Sequence, residues 1–110
     1  MLEIFFLLIV GHFLCDFALQ SEAMAIEKSP FSTSGLQKSI PWYWWLTSHA
    51  FIHSGAVFLI TNNIYYSLLE LISHWLIDYG KVLGKYSILI DQFFHLSIKI
   101  LIVFIYTRLH

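Results

Sequence analysis

The chain has 110 residues, of which 58% are hydrophobic and only 12% are charged, and its formal net charge is −1 at pH 7. A soluble domain of this length could not bury so much apolar surface, so the composition is typical of a membrane protein. The near-zero charge and the lack of a basic run predict no nucleic-acid partner. The single cysteine, Cys15, excludes an intramolecular disulfide.

Four apolar stretches have the length of a transmembrane helix, which is about 17–25 residues. In chain order they cover residues 2–19, 42–60, 64–83 and 88–106. We interpret the first as a retained span and not as a cleaved signal peptide, because no Lys or Arg precedes it and because His12 and Asp16 interrupt it. The sequence therefore predicts one all-α transmembrane domain over residues 1–110, an integral membrane four-helix bundle. A soluble bundle with a very apolar core is the alternative.

Short polar segments separate these stretches. The polar loop at residues 20–41 is rich in Ser and contains Pro, and within it we expect a short interfacial helix at Glu22–Lys28. Asn62 and Asn63 end the second stretch, and Gly84 lies between the third and the fourth.

Basic residues favour one side of the predicted membrane. The two loops on that side carry Lys28, Lys38, Lys81 and Lys85, whereas the opposite side carries Arg108. The positive-inside rule therefore predicts that the lysine-bearing loops are cytoplasmic and that both termini are outside.

Ionisable residues recur at intervals of four inside the apolar stretches. Residues four apart lie one helical turn apart on the same face of a helix. The pattern covers all four stretches: His12, Asp16, His49, His53, Glu70, His74, Asp78, Asp91 and His95. Counted from the lysine-bearing loops, these positions lie about one to three turns deep, and successive turns are only about 6 Å apart. The sequence thus predicts a polar core near one membrane face.

Charge balance suggests what this polar core contains. An ionised side chain at the membrane centre costs about 2.5–3.5 kcal/mol, so four unpaired carboxylates would cost on the order of 10 kcal/mol. Imidazole together with carboxylate favours zinc, with iron or manganese as alternatives, and facing helices supply the ligands of dinuclear sites in helical bundles. We therefore predict two divalent transition-metal ions bound by these nine residues. A metal-free network of ion pairs, or a proton relay, is the main rival.

Glu70 has two alternative roles. Lys99 reaches a similar depth in the fourth stretch, so Glu70 is either a metal ligand or the partner of Lys99 in an ion pair. In catalysis, Glu70 is predicted to act as a general base and Lys99 to hold an anionic oxygen. Three polar side chains are candidates for hydrogen bonds to the ligands: Gln20, Ser73 and Gln92.

A series of motifs carries a resemblance to a known family. In chain order they read HFLCDFALQ, then Lys28, HAFIH, ELISHWLIDYGK and DQFFH. Their order resembles that of the domain-of-unknown-function family 3307, a family of small bacterial and phage membrane proteins, and the likeness covers nearly the whole chain. It implies a multispan protein, here of a bacterial inner membrane, and brings no established activity. More loosely, the buried His and Asp residues resemble those of membrane-bound metal-dependent hydrolases.

These patterns favour a membrane-embedded metal-dependent hydrolase. Its dinuclear His/Asp/Glu site would activate water against an ester or phosphoester of a lipid or lipid-linked substrate. Two alternatives stay open: an oxidative enzyme like the membrane di-iron desaturases, and a non-enzymatic metal-binding protein that interacts with another membrane protein. The expected partners are membrane lipid and a lipid-like substrate, and the sequence leaves a homo-oligomer open.

Overall fold

The computed structural model describes residues 2–20, 22–31 and 40–109, apart from the side chains of Glu22 and Ala23. In these residues the secondary structure is helical, without a strand, which confirms the predicted all-α class. The α-helices are α1 Leu2–Phe13, α2 Glu22–Glu27, α3 Trp42–Thr61, α4 Ile64–Val82 and α5 Ile88–Leu109. A π-helical turn, Leu14–Ala18, continues α1. Lys38, which entered the prediction of membrane orientation, lies outside the described residues.

Local chemistry explains where the helices end. Asn62 ends α3 in the left-handed conformation with a φ of 52°, and its backbone N–H donates to the carbonyl oxygen of Phe58 at 2.7 Å. The side-chain oxygen of Asn63 accepts from the N–H of Tyr65 at 2.8 Å and so caps α4. After α4, Gly84 adopts a φ of 79°, which glycine does without steric cost.

The long helices follow the predicted apolar stretches with two differences. Helix α5 ends at Leu109 and so continues beyond the predicted end at residue 106. At the end of the first stretch the helix widens, because the N–H of Leu19 donates to the carbonyl oxygen of Leu14, five residues back, at 2.8 Å. Asp16 lies in this π-helical turn, so its side chain points in a different direction from the one that a regular α-helix would give it.

One described helix, Ile88–Leu109, is long and apolar enough to cross a membrane by length and composition. Helix α4 contains three charged residues, Glu70, Asp78 and Lys81. Helix α1 is only 12 residues long before the π-helical turn begins. The structure thus supplies one candidate span where the sequence predicted four.

The interior of the bundle has an apolar half and a polar half. Helices α1, α3, α4 and α5 pack in a ring, with α3 and α4 in the most extensive contact. The apolar half is the cluster Leu8, Val57, Tyr66, Ile102 and Val103. The polar half contains the nine ionisable residues predicted from the sequence, together with Lys28 and Lys99, and all of these are buried.

The distribution of polar residues is the reverse of that in a soluble protein. Among the described residues, 15 polar or charged residues are buried against only eight hydrophobic ones. Large apolar side chains point outward instead, for example Leu59, which is 83% exposed, and Leu89, which is 79% exposed. Soluble proteins bury their aliphatic residues and keep their charged residues in water.

The turn between α4 and α5 closes over the polar half. The hydroxyl of Tyr86 donates to the carbonyl oxygen of Ile77. Burial, and then the carboxylates of Asp91 and Asp78, raise the pKa of Tyr86, which keeps this hydroxyl protonated as a donor. The ring lies directly over Gly80, where an added Cβ would come within 2.8 Å of the Tyr86 Cζ atom.

Candidate metal centre

The first cluster of potential ligands joins one carboxylate to three imidazoles. Asp16 comes from the π-helical turn, His49 and His53 from α3, and His74 from α4, and we call these four buried residues the histidine group. Each offers one ligand atom, and these atoms lie within 4.8 Å of one another. The Oδ1 atom of Asp16 lies 3.1 Å from His49 Nε2 and 3.4 Å from His53 Nε2. Asp16 therefore links the two histidines of α3.

The second cluster contains two carboxylates and one imidazole. Asp78 comes from α4, and Asp91 and His95 come from α5; we call these three buried residues the carboxylate group. Their potential ligand atoms also lie within 4.8 Å of one another. The Nε2 atom of His95 is 3.2 Å from Oδ1 of Asp91.

The two groups are neighbours in one continuous interior. The ring of His74 stacks on the ring of His95, with a centroid distance of 4.1 Å and an interplanar angle of 24°. The Nε2 atom of His49 lies 3.9 Å from Oδ2 of Asp78. The histidine group and the carboxylate group therefore adjoin one another in the interior.

Gln92 connects both groups through its side-chain amide. Its Nε2 atom donates to Oδ2 of Asp16 at 2.7 Å and to Oδ2 of Asp91 at 3.2 Å. Ionised carboxylates only accept hydrogen bonds, so the amide nitrogen must face them and Oε1 must face His12. His12 Nε2 therefore donates to Gln92 Oε1 at 2.8 Å.

Several buried atoms of the two groups lack a hydrogen-bond partner among the described residues. They are Nδ1 of His49, Nε2 of His53, Nδ1 and Nε2 of His74, Nε2 of His95 and Oδ1 of Asp91. Leaving such an atom unsatisfied costs about 1–3 kcal/mol. Zinc holds imidazole nitrogens at about 2.0–2.1 Å, which puts tetrahedral ligand atoms about 3.4 Å apart. The contacts made by Asp16 and Asp91 are close to this spacing, so the buried His/Asp groups could hold a metal ion.

The two groups together include seven of the nine predicted ligands. His12 and Glu70 fall outside both groups. Glu70 Oε1 accepts from the ammonium of Lys99 at 2.5 Å and lies 3.4 Å from Nδ1 of His74. Of the two roles predicted for Glu70, the geometry favours the ion pair, because its oxygen is already held by Lys99 and only flanks the histidine group.

Lys28 is a site residue that sequence reasoning missed. It follows α2, yet it is only 2% exposed, and its Nζ donates to Oδ2 of Asp78 and to Oε1 of Gln20, both at 2.7 Å. The sequence placed Lys28 in a cytoplasmic loop, because loop lysines are normally solvated. Its place among the family-like motifs was the only signal, and spacing along a loop does not show that the loop folds back.

Buried carboxylates outnumber buried lysines in the described chain. The carboxylates are those of Asp16, Glu27, Glu70, Asp78 and Asp91, and the ammonium groups are those of Lys28 and Lys99. The sequence predicts two dications that balance the carboxylates of Asp16, Glu70, Asp78 and Asp91. In the structure Lys28 pairs with Asp78 and Lys99 with Glu70. Asp16 of the histidine group and Asp91 of the carboxylate group have no lysine partner among the described residues.

These features define the class: an all-helical protein with buried His/Asp groups that could hold a metal ion. The chain belongs to the family described as "Protein of unknown function (DUF3307)", whose model matches residues 4–110. This confirms the resemblance seen in the sequence motifs.

A search of curated proteins found a more distant relative. The protein named "Putative phosphatidate cytidylyltransferase" of Mycoplasma pneumoniae is 31% identical over 64 residues. The match covers 58% of this chain, and this chain spans 16% of the relative's length. No solved structure matches the chain.

Proposed function

We propose that the chain is a membrane-embedded metal-dependent hydrolase that cleaves an ester or phosphoester of a lipid or lipid-linked substrate. The observation that carries this proposal is the set of buried His/Asp atoms without hydrogen-bond partners in the described interior. Nε2 of His74 belongs to this set, while Nδ1 of the same ring lies 3.4 Å from Oε1 of Glu70. Such atoms are costly in a dry interior unless a cation binds them.

Membrane embedding is supported by the reversed distribution of residues. A surface with Leu59 and Leu89 almost fully exposed suits contact with lipid chains, because large exposed apolar areas mark membrane or partner contacts. In this proposal α1, α3 and α4 cross the membrane with α5 as one bundle. The polar half lies beneath the cytoplasmic surface, and both termini are outside.

The metal ion belongs at the histidine group. One carboxylate and three imidazoles suit zinc, which is a borderline-soft ion, with iron or manganese as alternatives. A divalent ion there would supply a Lewis acid and a water nucleophile at neutral pH. The carboxylate group is the adjoining half of a dinuclear centre.

Glu70 and Lys99 act through His74 in this proposal. Lys99 is 1% exposed and bonded to Glu70, so its ammonium is directed to a carboxylate and not to a substrate oxygen. Glu70 in turn flanks Nδ1 of His74. A carboxylate beside a ligand imidazole orients the ring and fixes its tautomer. We therefore assign the pair a positioning role.

A lipid substrate is supported by the depth of the site and by the relative. The polar half is enclosed by helices whose outer faces are apolar, which favours a substrate that approaches through the bilayer. The name of the Mycoplasma relative refers to phosphatidate, a phospholipid. Phosphoryl or nucleotidyl transfer to a lipid is for that reason the second candidate reaction.

The test combines metal analysis with a lipid assay. Detergent-purified protein should contain divalent transition metal and should release water-soluble product from vesicles of phosphatidylglycerol or phosphatidic acid. His74→Ala should lose both metal and turnover. Val57→Ala, which opens a cavity in the apolar half, should keep its metal.

Three results would redirect the proposal. Folded protein without metal would remove both the hydrolase and the oxidase from consideration. Iron with a di-iron optical signature would indicate the oxidative class. Bound zinc without turnover on any lipid ester would favour the non-enzymatic metal-binding alternative.

A further inference from the structure

One side chain of the polar half comes from outside the long helices. Lys28 lies in the turn after the six-residue helix α2, and its ammonium is buried against Asp78 of the carboxylate group. The contact, at 2.7 Å, is a charge-assisted hydrogen bond, which is about twice as strong as a neutral one. The ammonium of Lys28 thus occupies the position beside Asp78 in which a metal ion would lie.

The histidine group differs, because none of its members contacts a lysine among the described residues. Lys99, the other buried lysine, donates to Glu70, which belongs to neither group. Among the described residues, the lysine contacts within the two groups are made by Asp78 alone: with Lys28, and with Lys81 at 3.9 Å from the other carboxylate oxygen. The two groups therefore present different conditions to an incoming ion.

We propose that Lys28 holds the second cation position of the metal centre. Its ammonium neutralises Asp78 in the resting protein, and a second divalent ion binds the carboxylate group only when Lys28 withdraws. This inference rests on the proposed function, because it supposes that the first ion fills the histidine group.

Electrostatics sets the two cations in competition. An ammonium and a dication that share one carboxylate oxygen lie within a few ångströms of each other, and like charges at that distance repel by several kcal/mol at the effective dielectric constant of a protein. The Nζ of Lys28 takes Oδ2 of Asp78, the same atom that lies nearest His49 of the histidine group. A second ion between the groups needs this atom, so it displaces the lysine.

The local structure allows Lys28 to withdraw. Helix α2 packs mainly on α3 and belongs to a connecting segment, not to the ring of long helices. Gln20 supplies a second acceptor for the ammonium at 2.7 Å, and its own amide nitrogen donates to the carbonyl oxygen of Asp16 at 3.3 Å. Loss of the contact with Asp78 leaves the four long helices in place.

The consequence is an order of binding. The histidine group fills first and binds tightly, and the carboxylate group fills second and weakly. Lys28 then works as a built-in competitor that keeps the centre at one ion until the dication concentration rises or a substrate anion draws the ammonium away from Asp78.

Zinc titration of the stripped, detergent-purified full chain tests this order. The wild type should bind one ion per chain tightly and a second ion more weakly. Lys28→Met keeps the length of the side chain and removes its charge, so it should bind the second ion about 10- to 100-fold more tightly. Lys81→Met is the matched control, since Lys81 is the more distant and more exposed lysine at Asp78, and should leave the second affinity unchanged.

The wild-type chain offers a second measurement that does not depend on the folding of a variant. As the second ion binds, Lys28 should become accessible to an amine-reactive reagent, read by peptide mass spectrometry. Protection of Lys28 while two ions are bound would overturn the proposal, as would equal second affinities in the wild type and Lys28→Met. No bound ion in either protein would instead refute the metal centre itself, so the two failures are distinguishable.

Discussion

The two halves of the bundle use the same four helices but are stabilised differently. In the apolar half, Val57, Tyr66 and Ile102 meet as close-packed side chains that need nothing more. In the polar half the same helices bring histidines and carboxylates together, and some of their atoms find no partner among the described residues. The first half is closed by apolar packing, whereas the second contains the buried His/Asp groups that could hold a metal ion.

Helix α4 shows this contrast within a single element. Near its start, Ser67 exchanges hydrogen bonds with Ser54 of α3, each hydroxyl donating to the other residue's carbonyl oxygen at 2.9 Å. Both groups are satisfied within the protein. One and two turns further along, Glu70 depends on Lys99, and His74 has no hydrogen-bond partner in the described interior. The change from paired hydroxyl groups to buried ionisable groups therefore begins at the level of Glu70.

The largest expected effect comes from breaking the buried ion pair at this level. Lys99→Met should destabilise the protein by about 3–5 kcal/mol, because it strands the charge of Glu70 in the interior. Adding Glu70→Gln should restore most of the lost stability, since both charges are then absent. Thermal unfolding in detergent measures both variants.

Ile102→Ala is the matched change in the apolar half. It should cost about 2–5 kcal/mol through the cavity it leaves, and no partner substitution should rescue it. If the double variant Lys99→Met with Glu70→Gln were no more stable than Lys99→Met alone, the ion pair would not explain the stability of this level.

Metal removal should affect the backbone of the polar half more than that of the apolar half. A chelator withdraws an ion whose binding contributes about 4 kcal/mol at 1,000 times its Kd. Hydrogen exchange should then rise for backbone amides around His49, His53 and His74, and change little around Val57 and Ile102. Equal acceleration in both halves would show that the ion stabilises the bundle as a whole and not the polar half.

A smaller effect on stability is expected at the turn between α4 and α5, where the Tyr86 ring packs on Gly80. Gly80→Ala should destabilise by about 1–3 kcal/mol, since its Cβ would overlap the Tyr86 ring and break the hydrogen bond to Ile77. Gly55→Ala is the control: it lies in α3 with no atom within 4 Å of an added Cβ, so it should stabilise by up to about 1 kcal/mol.

Thermal melts of the single variants, and of Gly80→Ala in a Tyr86→Ala background, check this closure. The clash is absent once the ring is removed, so Gly80→Ala should be harmless there. A loss of the same size in both backgrounds would assign the effect to the helix and not to the ring.

Much of this structure can be predicted from helical periodicity, because periodicity relates residues within a single helix. The spacing of Glu70, His74 and Asp78 placed them on one inward face, and the structure buries all three. Asn62 and Asn63 marked the turn between α3 and α4, since a left-handed residue followed by a side-chain cap is a local arrangement.

Other features depend on contacts between distant segments, which spacing does not encode. The burial of Lys28 requires the connecting segment to fold back over the bundle end, and nothing in its local sequence distinguishes it from a solvated lysine. The π-helical turn at Asp16 also escaped prediction, because it depends on one displaced hydrogen bond. The contact of His12 with Gln92 of α5 is likewise not encoded by the spacing of His12 from Asp16.

The amide of Gln92 has a consequence for how the two groups communicate. One nitrogen bonds the carboxylates of Asp16 and Asp91, so a shift of either carboxylate towards an ion alters the hydrogen bond that the other receives. If both groups bind ions, as proposed above, this shared amide couples their occupancies. By thermodynamic reciprocity, whatever factor the first ion imposes on the affinity for the second, the second imposes on the affinity for the first.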